Sequence, residues 1–336
     1  MKYRIRNLIT LPSIYFLLLK NVTKQKQFIR NVEENELTAF KNDNDGSLTP
    51  QDLKKITSYY GLGVPGILGE LFCVLREKPM AENERLCLTF LGGISGMLDD
   101  LFDDPEKESV HLEEFILHPE ALKPADTYES LLLHFYLLGL KHSANPGLLK
   151  KQALQVFKSQ QKSKNQQNFG NSSQVIHDIT YDKGGVSFIF YRLCLNNPLQ
   201  QKEEKLLKHL GGLMQLGNDI FDAWEDHQMD TKTAATICTD IPELRREFIN
   251  EIQFTFKLAG ETNFRKNQVE NFLQSTTLAL SRVLVCLDQF EKLQLSSGNL
   301  FLIEKYRREE MICDMQKPKN QFKAIKYALK LFPLKY

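Results

Sequence analysis

Apolar residues recur along most of this chain at the spacing of one helical face, and runs that alternate apolar with polar residues are scarce. The pattern predicts helices over 50–60, 64–76, 81–101, 128–142, 150–167, 242–259 and 268–292, and hence an all-α fold. The run 128–142 is strongly apolar, with Leu131, Leu132, Phe135, Leu138 and Leu140, and reads as a core helix. His134 and His142 fall on its surface with no catalytic partner in view. Residues 41–52 place Asp43, Asp45, Gly46 and Asp52 at positions of a calcium loop, but Lys41 stands at the first position and Asp52 replaces the usual glutamate. A turn followed by a helix capped by Thr49, with Pro50 at its first position, explains the stretch better.

Two acidic clusters end apolar helical runs. Asp99-Asp100-Leu101-Phe102-Asp103-Asp104 follows Leu86–Leu98, and Asn218-Asp219-Ile220-Phe221-Asp222-Ala223-Trp224-Glu225-Asp226 follows Leu206–Gly217. Residues four apart share a helix face, so Asp99 aligns with Asp103, and Asn218 with Asp222 and Asp226. Like charges on greasy helices repel and resist desolvation, which a divalent cation relieves. Oxygen ligands in this number suit Mg²⁺, which one or two carboxylates hold together with substrate phosphate oxygens. Pro105 should end the first acidic helix, leaving its carboxylates at a C-terminus, where the backbone dipole also disfavours anions.

This pair of clusters resembles the two metal-binding motifs of the class I isoprenoid synthases, a superfamily that includes prenyltransferases, squalene and phytoene synthases and terpene cyclases. Asp99, Asp100 and Asp103 match its DDxxD motif. Asn218, Asp222 and Asp226 match the second, although terpene cyclases usually carry Ser or Thr and then Glu at the last two positions. The stretch from Gln215 to Asp226 is also similar to the QLxNIxRDxxED pattern of squalene and phytoene synthases. The resemblance implies a single large helical bundle around a central apolar cavity, and three Mg²⁺ ions bound with substrate diphosphate, held by Asp99, Asp100 and Asp103 from one side and Asn218, Asp222 and Asp226 from the other. It implies an enzyme that ionises an allylic prenyl diphosphate.

The same resemblance assigns further roles. Gly184-Gly185 interrupts a helical pattern where the superfamily has a kinked helix, and Lys183 resembles its diphosphate-binding cation; an ordinary kink beside a surface lysine is the plain alternative. Phe188, Phe190 and Tyr191 are core or line a hydrocarbon pocket. Tyr306-Arg307 stands near the place of the family's diphosphate-gripping Arg-Tyr pair, in reversed order. Residues 227–234 would form a flexible lid. No Arg-Arg-Gly follows the first motif, which disfavours chain elongation. Terpene cyclisation, a carbon–oxygen lyase reaction, comes first, head-to-head condensation second. A non-catalytic prenyl-lipid-binding helical protein is the reading from another class.

Composition adds bounds. A net charge of +1 gives no reason to expect a nucleic-acid partner. Six scattered cysteines without paired spacing read as reduced, mostly buried thiols of a cytoplasmic protein. The chain divides by pattern into an N-terminal segment (1–40), a helical domain (41–310) and a basic amphipathic tail (311–336). The first 19 residues combine basic and apolar character, but Pro12 interrupts them and no small-residue cleavage site follows. Both ends are compatible with packing on the domain or with peripheral membrane contact. Oligomeric state is open, a homodimer included.

Overall fold

A computed structural model describes residues 2–103, 109–167 and 170–331, with the side chains of 2–11, 103 and 109–111 outside the description. Every regular element among the described residues is helical. The principal helices in chain order are α1 (Lys2–Val32), α2 (Pro50–Arg76), α3 (Glu82–Gly93), α4 (Ser95–Asp103), α5 (Ser109–Leu117), α6 (Thr127–His142) and α7 (Pro146–Ser163). There follow α8 (Ser173–Leu193), α9 (Gln201–Phe221), α10 (Ala223–Gln228), α11 (Ile241–Glu261), α12 (Lys266–Ser296) and α13 (Pro318–Leu331). The chain forms two compact units, one of residues 13–158 and 189–199, the other of 1–12, 159–188 and 200–336.

In the first unit, α3 packs against α6 and α2. Leu88, Leu91, Leu131, Leu132 and Phe135 are fully or almost fully buried there, and Phe90 meets Phe135 edge-on at 5.1 Å. The start of α2 is set locally. Thr49 Oγ1 accepts from Asp52 N at 3.2 Å, and the Asp52 carboxylate accepts from Thr49 N at 2.9 Å, a reciprocal cap with Pro50 at the first helical position. The preceding turn is held by its own side chains: Asn44 Oδ1 accepts from Gly46 N and Leu48 N, and Asp45 Oδ1 accepts from Ser47 N. These are the turn and the capped helix expected from residues 41–52.

Where the pattern predicted separate helices over 50–60 and 64–76, α2 is continuous. Two stretches, Lys55–Tyr60 and Val64–Gly69, are wound as π-helix, which accommodates the extra residues without a break. By length and composition α2 is also apolar enough to cross a membrane, yet Phe72 and Leu75 are buried and the helix packs on α3. Conversely, the predicted helix 81–101 is divided at Ile94 into α3 and α4. Gly92 lies against Val64 and Gly96 under the ring of Tyr60, where a Cβ would stand 2.3 Å from the ring.

In the second unit, α9 packs on α11 and α12, and α12 also carries α13. Phe248, Phe256, Phe272 and Leu280 fill the interior. Gly184-Gly185 neither breaks nor kinks α8 into separate helices: α8 runs unbroken from Ser173 to Leu193. The expected break is absent, and the glycines approach another helix in place of a ligand. A Cβ on Gly184 would stand 2.1 Å from the carbonyl oxygen of Gly211, and one on Gly211 would stand 2.3 Å from that of Gly184. Gly185 lies against Lys208, and Gly212 against Tyr181. Paired glycines on α8 and α9 therefore let two backbones touch. The five cysteines Cys73, Cys87, Cys194, Cys286 and Cys313 are buried, Cys238 is partly so, and all are free thiols.

Candidate functional site

The second acidic cluster is built at the junction of α9 and α10. Asp222 caps α9, with its N–H bonded to the Asn218 carbonyl at 2.9 Å, and Asp226 N bonds the Asp222 carbonyl at 2.9 Å. The helical path thus continues through the junction and keeps the four-residue spacing. Asn218 Nδ2 donates to Asp222 Oδ2 at 2.8 Å, joining two of the expected ligand positions directly.

Asp219, not among those positions, is the deepest carboxylate of this cluster, only 6% exposed. Its two oxygens accept from Gln215 Nε2 at 2.8 Å and Thr180 Oγ1 at 2.9 Å. Burial pushes its pKa up to about 6 despite those donors and the nearby positive charge of Lys183. Asp226 is pushed up to about 7, by burial first and then by Asp219 and Asp222, with Lys183 again opposing. Asp222 rises as well, through desolvation and then Glu225. Three neighbouring carboxylates that all resist ionisation, with Lys183 opposing the shift at two of them, describe a site short of positive charge. Their hard oxygens suit a magnesium ion, which needs only one or two protein carboxylates and keeps waters or phosphate oxygens in its other positions. Among the described residues no three His, Cys, Asp or Glu side chains converge closely enough to hold a metal by themselves.

A cavity of about 460 Å³ opens beside Asn218, between α9, α12 and residues 313–316. Met214, Phe221, Leu280 and Val283 give it an apolar wall, with Asn218 and Arg282 among its polar groups.

On the other side of α10, Tyr306 is buried at 9% exposure, and its hydroxyl makes no hydrogen bond. Arg307 is exposed; it caps the single helical turn Arg308–Met311 and pairs with Glu310 at 3.3 Å. Arg308 is the residue that reaches the second motif, bonding Glu225 at 3.1 Å with its guanidinium 5.8 Å from the Trp224 ring. Within residues 227–234, expected to form a lid, Gln228, Met229 and Asp230 are exposed and the end of the segment is held by hydrogen bonds. Lys232 N bonds the Gln166 carbonyl at 2.9 Å, Gln166 Nε2 bonds the Lys232 carbonyl at 3.1 Å, and Thr233 is buried in a turn closed by Thr236.

In the other unit, the first cluster sits on the last turns of α4. Asp99 is half-buried and Asp100 exposed, and Asp100 is ion-paired with Lys55 from the first π stretch of α2. Two phenols flank the helix: Tyr128 Oη donates to the Met97 carbonyl at 2.7 Å, and Tyr191 Oη lies 2.6 Å from Ser95 Oγ. Burial, reinforced by Asp99 or Asp100, holds both phenols well above the ordinary tyrosine range. Tyr191 is thus a hydrogen-bonded partner of α4. Asp103 closes α4, and its side chain lies outside the described residues, as do Asp104 and Pro105.

Asp219, Thr180, Lys55 and Arg308 were missed by motif reading. The Gln215–Asp219 spacing of four was the visible signal for Asp219; Lys55 has none, because its partner lies far along the chain. Comparison with protein-family models, curated proteins and solved structures finds no match to this chain.

Proposed function

We propose that this chain is a magnesium-dependent enzyme of the class I isoprenoid synthase type, with the corresponding fold, acting on an allylic prenyl diphosphate, and that it is a terpene cyclase in preference to a head-to-head condensing enzyme. The observation that carries the proposal is the crowd of carboxylates that resist ionisation, Asp219, Asp222 and Asp226, near Lys183 and beside a cavity at Asn218 that has one apolar wall. Asn218, Asp222 and Asp226 would hold magnesium, whose charge neutralises a departing diphosphate. Asp219, bonded by Gln215 and Thr180, fixes the face of α9 that presents them. Lys183 would add positive charge, and the apolar wall of Met214, Phe221 and Leu280 would receive the hydrocarbon chain. Asp99, Asp100 and Asp103 enter through the sequence resemblance alone.

The test is magnesium-dependent release of pyrophosphate from farnesyl and geranylgeranyl diphosphate, with products separated by gas chromatography. Asn218→Ala and Asp99→Ala should each lower turnover by about a hundredfold or more, the scale of a lost charge-stabilising group, while leaving helical content unchanged. Hydrocarbon or alcohol products bearing rings identify cyclisation. The ion pair of Lys55 with Asp100, which occupies one first-motif carboxylate, favours a second reading, a prenyl-lipid-binding protein without catalysis. Absence of pyrophosphate release with every chain length, alongside saturable binding of the same lipids, would select that reading.

A further inference from the structure

The C-terminal helix α13 has two unlike faces. Its inner face, Ala324, Ala328 and Leu331, is buried where the helix packs on α12. The polar groups on that side are also engaged: Asp288 of α12 takes Lys323 at 3.0 Å, Tyr327 at 2.5 Å and Arg245 of α11 at 3.1 Å. Burial and this network fix which way α13 faces, so its outer residues cannot roll inward without breaking both.

The outer face carries Phe322 and Ile325, exposed by 59% and 46%, among the exposed lysines Lys319, Lys326 and Lys330. Lys326 Nζ lies 4.7 Å from the Phe322 ring centroid, so charge and ring stand together at one level. These five positions follow the three- and four-residue spacing of one helical stripe. The helix contains no acidic residue, so nothing on it offsets the lysines. An aromatic and a branched side chain flanked by lysines, on a helix held by its opposite side, match the requirements of an interfacial membrane helix. The apolar pair reaches the acyl boundary while the ammonium groups stay among anionic headgroups. A second copy of the chain fits worse, because a twofold contact through this stripe sets lysines against lysines.

We propose that the outer face of α13 docks the protein on anionic phospholipid bilayers, with Phe322 and Ile325 inserted and Lys319, Lys326 and Lys330 on the headgroups. The full chain should sediment with mixed phosphatidylcholine–phosphatidylserine vesicles, not with phosphatidylcholine alone, and should be released by salt as the charge attraction is screened. At about fivefold per lysine, the triple variant K319Q/K326Q/K330Q should partition about a hundredfold less. F322S/I325S should lose at least about tenfold through the missing insertion. None of the five side chains is buried, so circular dichroism and melting temperature should match the parent in both variants. Vesicle partition is read without any prenyl diphosphate, so the result stands or falls apart from the chemistry proposed above. Three results would overturn the proposal: no serine-lipid-dependent binding at low salt, binding undiminished in the variants, or light scattering that shows a dimer abolished by F322S/I325S in the absence of lipid.

Discussion

Replacing Asp219 by asparagine tests whether the second cluster is under electrostatic tension. The change is nearly isosteric. Gln215 Nε2 still finds an amide oxygen, and the Thr180 hydroxyl can turn to accept where it now donates. What disappears is a charge that the site resists. The carboxyl pKa rises from 3.8 to about 6, and one unit corresponds to about 1.4 kcal/mol, so the ionised form costs the folded state about 3 kcal/mol. The sign follows from proton uptake: between pH 4 and 6 the folded protein binds more protons at this group than the unfolded chain does. Stability therefore falls as pH rises through that window and levels off above the folded pKa. Urea unfolding in the presence of a chelator should show Asp219→Asn about 3 kcal/mol more stable than the parent at pH 8, with the gap closing toward pH 4. A gap of constant size, or a less stable variant at pH 8, would refute the tension and weaken the cation site inferred from it.

Other outcomes follow from neighbouring geometry. Millimolar magnesium should raise the unfolding midpoint of the parent at pH 8 more than that of Asp226→Asn, because an ion that binds only the folded state stabilises it. Gly184→Ala places a Cβ 2.1 Å from the Gly211 oxygen and should cost about 1–3 kcal/mol by denaturation, whereas Gly63→Ala, in a helix with open space around it, should gain about 1 kcal/mol. Trp224 is the only tryptophan, so Arg308→Ala should shift its emission while Arg307→Ala leaves it unchanged; both should alter stability by less than about 1 kcal/mol. Thr49→Ala, which removes the cap of α2, should cost about 1 kcal/mol in the same denaturation assay.

Helix content, the Thr49-Pro50 start and the core helix 127–142 were legible because their causes are local: a cap, a proline, an apolar face. The role of Gly184-Gly185 was not, because a glycine pair reads the same whether it weakens its own helix or admits a neighbour. The deciding fact lies on α9, in a second pair, Gly211-Gly212, whose partnership a single helix cannot announce. The ties of Lys232 and Thr233 were hidden for a similar reason, since polar residues that look solvent-bound are satisfied by one another and by Gln166. In the second motif, spacing identified Asn218 and Asp222, which are hydrogen-bonded, but ranked Asp219 as a bystander. Burial of its face against Thr180 is a property of packing, beyond the reach of periodicity.

The π turn at Lys55–Tyr60 makes chain length, more than residue identity, the determinant of what faces Asp100. An α-helix rotates by about 100° per residue, and the π turn takes up its extra residue with both flanks kept in register; excising one residue from the ordinary α turn at Gly61–Gly63 instead would swing the preceding segment, Lys55 included, about a quarter of the way around its axis. Asp100 would then lose its counter-charge with every side chain at the motif left intact. A one-residue deletion outside the acidic motif would be felt inside it, at a position no point substitution there had touched.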